Sequence, residues 1–105
     1  MGQISARLRK VGRADGQIEG IAHWCHGCRD LHVIYTLHPS RAVWTWNGDV
    51  LNPTVTPSVR LMNSPGGSRC HYFLTEGVIH FLGDCEHDEK GRQVPLPDLP
   101  ENWRD

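Results

Sequence analysis

The chain has 105 residues, 38% of them hydrophobic, and a formal net charge of −1. A domain of this size buries only a modest core, its near-zero charge excludes a general nucleic-acid-coating protein, and no stretch approaches the roughly 18 apolar residues of a membrane-spanning helix. No apolar segment of the signal-peptide kind follows the basic N-terminus. The four cysteines are therefore expected in a reducing cytoplasm, as thiolate ligands rather than disulfides.

Residues 1–16 read as a flexible basic N-terminal arm ahead of a folded domain over 17–105. Arg7, Arg9, Lys10 and Arg13 precede the first acidic residue and are candidate contacts to phosphate. The next informative stretch is His23-Trp24-Cys25-His26-Gly27-Cys28. A redox Cys-x-x-Cys needs its first cysteine at a helix N-terminus, where the dipole lowers the thiol pKa. Here Arg29-Asp30 leads straight into Leu31, Val33, Tyr35 and Leu37 in alternation, which is a strand pattern. A metal knuckle suits the sequence better, because Gly27 permits the tight turn that aims two sulfurs at one ion.

The Leu31–Leu37 run is expected to pair, across Pro39-Ser40, with Ala42–Trp46 as a hairpin. Asn47-Gly48-Asp49 is a turn. In residues 52–58 the prolines Pro53 and Pro57 each remove a backbone donor and hold the preceding residue extended, predicting an edge segment before a short strand at Val59–Met62. Residues 63–68 are the most loop-like of the chain. Cys70–Leu82 is the clearest hairpin: with Glu76-Gly77 as the turn, Thr75 faces Val78, Leu74 faces Ile79, Phe73 faces His80 and Tyr72 faces Phe81. One face is then Cys70, Tyr72, Leu74, Ile79 and Phe81, a core face. Residues 86–92 form a charged turn region, and the proline-rich 94–100 is an extended tail that Trp103 pins down.

That hairpin brings Cys70 and Cys85 together at its open end, with His71 and His87 beside them. Zinc prefers thiolates, so Cys25, Cys28, Cys70 and Cys85 are the first-choice ligands of a Zn2+ site, and His71 and His87 are the alternates. The remaining histidines, His23, His26, His32, His38 and His80, read as surface or partly buried polar residues, with His26 pointing away from the ion. The fold expected is mostly β: a small single domain of antiparallel hairpins stapled by zinc in the manner of a zinc ribbon.

The series "WCHGC", "WTWNGDVLNPTVTPSV", "CHYFLTEGVIHFLGDCEH" and "GRQVPLP" resembles a small domain family of unknown function found in tailed phages, prophages and bacterial gene clusters. The resemblance runs from about Trp24 to Pro97. The family pattern falls on Cys25, Cys28, Trp46, Asn47, Gly48, Pro53, Thr54, Pro57, Ser58, Cys70, His71, Gly77, Phe81, Leu82, Asp84, Cys85 and His87. It implies a phage- or prophage-encoded protein of the bacterial cytoplasm. Family members beside ubiquitin-like gene clusters imply a protein-binding role.

A zinc held by four cysteines has no open position, which favours a macromolecule-binding module over an enzyme. A protein is the first-choice partner and nucleic acid the second, with Trp44, Trp46 and the basic arm as the candidate contacts, although in so small a domain the two tryptophans are expected first as core. The alternative is a metal-dependent hydrolase or nuclease using His71, Asp84 and His87 at a zinc with an open position, with the hydroxyls of Thr54 and Ser58 nearby. Neither a Ser-centred nucleophile elbow nor a phosphate-cradling glycine loop is present.

Overall fold

The computed structural model describes residues 2–12, 15–62 and 69–105; Arg13 and the loop expected at 63–68 lie outside them. The described residues are mostly β, as the alternation predicts, and form two antiparallel sheets. The first sheet has the strands β1 (Gly2–Gln3), β2 (Arg9–Gly12), β3 (Ile18–Cys25) and β4 (Asp30–Tyr35) in sequence order. The second has β5 (Thr45–Trp46), β6 (Val55–Met62), β7 (Arg69–Thr75), β8 (Val78–Phe81) and β9 (Gln93–Pro95), again in sequence order. A turn of 3-10 helix, Glu101–Trp103, follows.

The β7–β8 hairpin pairs as expected, with Thr75 opposite Val78, Leu74 opposite Ile79, Phe73 opposite His80 and Tyr72 opposite Phe81. Its turn needs two residues at positive φ: Glu76 takes φ 49° and Gly77 takes φ 76°. Cys70, Tyr72, Leu74, Ile79 and Phe81 are all buried. They share one core with Leu8, with Ile21, Cys25 and Ile34 of the first sheet, and with Val55, Val59 and Leu96.

Three expectations are corrected. The first concerns residues 1–16: the described part of this arm is not a loose tail, because β1 and β2 join the first sheet and Leu8 is fully buried. Its charges also have partners in the chain, since Arg9 donates to the Trp103 carbonyl and pairs with Asp105, and Arg7 pairs with Asp98. The second is the hairpin between the Leu31–Leu37 and Ala42–Trp46 runs. β4 instead pairs with β3, and β5 pairs with β6, while Trp44 N–H on the Tyr35 carbonyl joins the two runs at 2.8 Å. The third is the edge segment. The extended chain around Pro57 lies between β5 and β7, accommodated by a register shift in which Thr56, Pro57 and Ser58 stand against Phe73 alone. Such a bulge lets a proline sit where a ladder bond would otherwise be lost, and it re-aims the side chains it carries.

Candidate functional site

Alternation along β7 separates two sets of polar residues, because neighbouring side chains on a strand point to opposite faces. Cys70 points into the core and is fully buried; His71, next to it, faces outward and is partly exposed. The same division recurs past the end of β8, where Asp84 is exposed and Cys85 is buried. One face therefore gathers sulfur and the other gathers a histidine and a carboxylate.

On the inner face, the knuckle after β3 brings Cys25 and Cys28 up to the hairpin. The ligand atoms of Cys25, Cys28, Cys70 and His32 lie within 4.8 Å of one another, as do those of Cys70, Cys85 and His87. His87 Nε2 is 3.2 Å from Cys85 Sγ, 3.3 Å from Cys70 Sγ and 3.9 Å from Cys25 Sγ. Its ring rests on the knuckle where Gly27 has no side chain; a Cβ there would overlap the imidazole. No disulfide links any of the four cysteines. The Cys25 thiol is pulled down to about 6, chiefly by the hydrogen bond from Cys70. Cys70 is pushed up by that same bond and by burial. Cys25 and Cys70 thus share a proton that a divalent cation would replace, and a sulfur-rich set with imidazole fits zinc. This cluster could hold a metal ion.

A hydrogen-bonded chain buttresses it. His23 Nδ1–H donates to the Trp24 carbonyl (3.1 Å), which leaves Nε2 to accept from Tyr72 Oη–H (2.6 Å). Tyr72 Oη in turn accepts from His32 Nδ1–H (3.0 Å). His32 Nε2 is then a bare lone pair, buried and without a hydrogen-bond partner. Burial lowers His23 to about 4 and His32 to about 2, so both rings are neutral near pH 7. The expectation that His23 and His32 are surface or partly buried residues is corrected here: they are 0% and 3% exposed. Each occupies an inward position where Tyr72 supplies a polar partner. His26 is exposed, as expected of a residue pointing away from the knuckle.

On the outer face, His71 does not join the thiols. Its Nε2 is 3.1 Å from Ser58 Oγ, and its Nδ1 is 3.1 Å from both carboxylate oxygens of Asp84. His71 and Asp84 are thus not placed for the metal-dependent hydrolase considered above; of its three residues only His87 is beside the sulfurs. The serine comes from the β6 bulge, the histidine from β7 and the aspartate from the turn after β8. Trp44 Nε1–H donates to the Ser58 carbonyl at 3.1 Å and so fixes the backbone of the serine. The His71 side chain is 22% exposed and that of Asp84 45%, so the row is open to solvent, and the neighbouring Phe73 stands exposed on the same strand face.

A hydroxyl, an imidazole and a carboxylate joined in this order are the parts of a serine nucleophile with its general base and the base's orienting group. Ser58 is not legible as a nucleophile in the sequence, since the three residues are spaced 13 apart along the chain with no local motif. The available signal was strand parity: once Cys70 is assigned to the core, His71 must point away from it, towards whatever β6 presents. Trp44 and Trp46, expected as core or stacking residues, are partly buried against the core. Lys10 is exposed on β2. Among the described residues no helix is long and apolar enough to cross a membrane.

A family model described as "Bacterial ubiquitination-like system serine protease (BubE)" matches residues 3–82. The match takes in Ser58 and His71 and stops just short of Asp84. No curated protein and no solved structure matches the chain. A match over this much of the sequence shows that the chain belongs to the BubE family.

Proposed function

We propose that this member of the BubE family is a serine peptidase of a bacterial ubiquitination-like system, with Ser58 as nucleophile, His71 as general base and Asp84 as the carboxylate that orients it. The Ser58–His71–Asp84 row, with all its contacts at 3.1 Å, carries the reading. Asp84 accepts the Nδ1–H of His71, which turns a lone pair of Nε2 to Ser58 Oγ. As Ser58 Oγ attacks the carbonyl carbon of the scissile bond, its proton passes to Nε2. The imidazolium, held by Asp84, gives that proton to the leaving nitrogen as the C–N bond breaks. Water then repeats the two proton transfers on the acyl ester and releases a carboxylic acid and free Ser58. The macromolecular partner is then the protein substrate.

On this reading the buried cluster is a separate, structural zinc site. Cys25, Cys28, Cys70 and Cys85 are its proposed ligands, drawn from two overlapping sets that share Cys70, with His32 a further donor in one set and His87 in the other. A zinc closed by thiolates holds strands together and leaves no open position for substrate. The cytoplasm of a bacterium suits both a ubiquitination-like system and reduced thiolates.

The test is active-site labelling. A fluorophosphonate should phosphonylate Ser58, displacing fluoride, and the adduct should map to the peptide carrying Ser58 by mass spectrometry. Ser58→Ala should abolish labelling while keeping the circular dichroism of the wild type. A wild-type protein that folds, carries zinc and is not labelled would rule out the peptidase.

A further inference from the structure

Two dipeptides each bring together a sulfur of the cluster and a member of the triad: Cys70-His71 and Asp84-Cys85. His71 lies in the middle of β7, opposite Arg60 of β6, and needs little further support. Asp84 lies outside the strands. β8 ends at Phe81, and the turn that carries Asp84 is tied by Leu82 N–H on the His71 carbonyl (2.9 Å) and by Cys85 N–H on the Leu82 carbonyl (3.2 Å). A further anchor, immediately beside Asp84, is the side chain of Cys85, buried against Cys70 and His87.

We infer that Cys70 and Cys85 are positioning residues for the peptidase, acting through the metal they share. Two thiolates on one zinc, each about 2.3 Å from it, form a short rigid bridge. That bridge joins the turn to β7 at the residues immediately beside Asp84 and His71, and so holds the carboxylate on Nδ1. Metal loss should loosen the turn beside Asp84, whereas Leu8, Ile21, Ile34, Val59, Tyr72 and Leu74 are core residues that do not ligate the metal. The inference rests on the triad reading and the zinc site proposed above.

The consequence is a specific form of non-additivity. Loss of the bridge should cost what loss of the Asp84 carboxylate costs and no more, because both act on the same contact. The experiment compares the rate of fluorophosphonate labelling at Ser58 in the wild type, Cys85→Ser, Asp84→Asn and the double variant, with metal content measured on each. The single variants should each fall about 10²- to 10³-fold, and the double variant should match the slower single variant within a few-fold. A Cys85→Ser protein that has lost its metal yet is labelled at the wild-type rate would overturn the inference. So would a double variant slowed by the product of the two effects.

Cys85→His, which retains a ligand, decides the matter if the serine variant does not fold. Loaded with zinc it should be labelled within about tenfold of wild type, and stripped by a chelator it should fall to the rate of Asp84→Asn. Equal rates loaded and stripped would refute the bridge. A wild type that is not labelled at all is a different result, since it removes the triad reading itself.

Discussion

Asp84→Asn probes the relay at its most solvent-exposed member. In the native arrangement both carboxylate oxygens are 3.1 Å from His71 Nδ1, so Nδ1 carries the proton and Nε2 can accept one from Ser58. Asparagine can present its NH2 group instead, which favours the other tautomer and puts an N–H, unable to act as a base, against Ser58 Oγ. It also removes the negative charge that stabilises the imidazolium formed during attack. Unit charges about 4 Å apart interact by about 1 kcal/mol in water and about 4 kcal/mol near a protein surface. With the Asp84 side chain 45% exposed, a value in the middle of that range applies. Adding about 1 kcal/mol for the tautomer gives a loss of roughly 3 to 4 kcal/mol, or a 10²- to 10³-fold slower reaction. That is less than the ~10⁴-fold loss found when a buried triad carboxylate is replaced in this way. The assay is the second-order rate constant for fluorophosphonate labelling of Ser58 at pH 8, with zinc content and circular dichroism unchanged. A variant labelled as fast as the wild type would refute the assignment of Asp84.

Two further predictions concern the inner face. Gly27→Ala places a methyl group in the His87 ring, so the imidazole must leave the sulfurs it now touches; zinc affinity should fall about 10- to 100-fold in competition with a chromophoric chelator, and an unchanged affinity would show that His87 plays no part at the site. The second follows from His23, whose folded-state pKa is lowered from 6.5 to about 4 by burial. The unfolded chain therefore binds this proton first as pH falls, so the stability is fully present above 6.5 and is lost through the window from 6.5 down to about 4. Between pH 7 and pH 5 His23 alone should cost about 2 kcal/mol, with His32 adding in the same direction; urea midpoints in excess zinc that stay level over this range would contradict the buried neutral pair.

The β7–β8 hairpin was legible because it is local: a period of two, a Glu-Gly turn and a register that follows from the turn. The convergence of Cys70 and Cys85 came with it, and Gly27 marked the knuckle that Cys25 and Cys28 share. β3 was hidden, because His23 stands between the apolar positions Ile21 and Cys25 on its inner face and Gly20 weakens the strand pattern beside them. Counting charge concealed the first sheet in the same way, since Arg7, Arg9 and Lys10 surround Leu8, whose burial depends on partners far along the chain. The roles of His23 and His32 required Tyr72, at a separation of 49 and 40 residues, and no local pattern reports such a contact. His71 and Asp84 were drawn towards the metal by their neighbours Cys70 and Cys85, although adjacency on a strand sends side chains apart rather than together.

That opposition of adjacent side chains also suits the two chemistries to their surroundings. Cys25 and Cys70 are 0% exposed and Cys85 2%, which keeps these three sulfurs from oxidants; oxidation follows thiolate character only where a reagent can reach it. In the proposed peptidase Ser58 and His71 need the reverse, because the site must admit a chain to the serine and then water to the acyl ester. A metal on the outer face would compete for the lone pair of His71 Nε2 that has to accept the Ser58 proton. A serine on the inner face would be sealed from its substrate. On the proposed reading, placing cysteine and histidine next to each other at 70 and 71, and aspartate and cysteine at 84 and 85, would let one hairpin clamp an ion on its dry side and align a nucleophile on its wet side. The same arrangement is why metal content and labelling rate should change together.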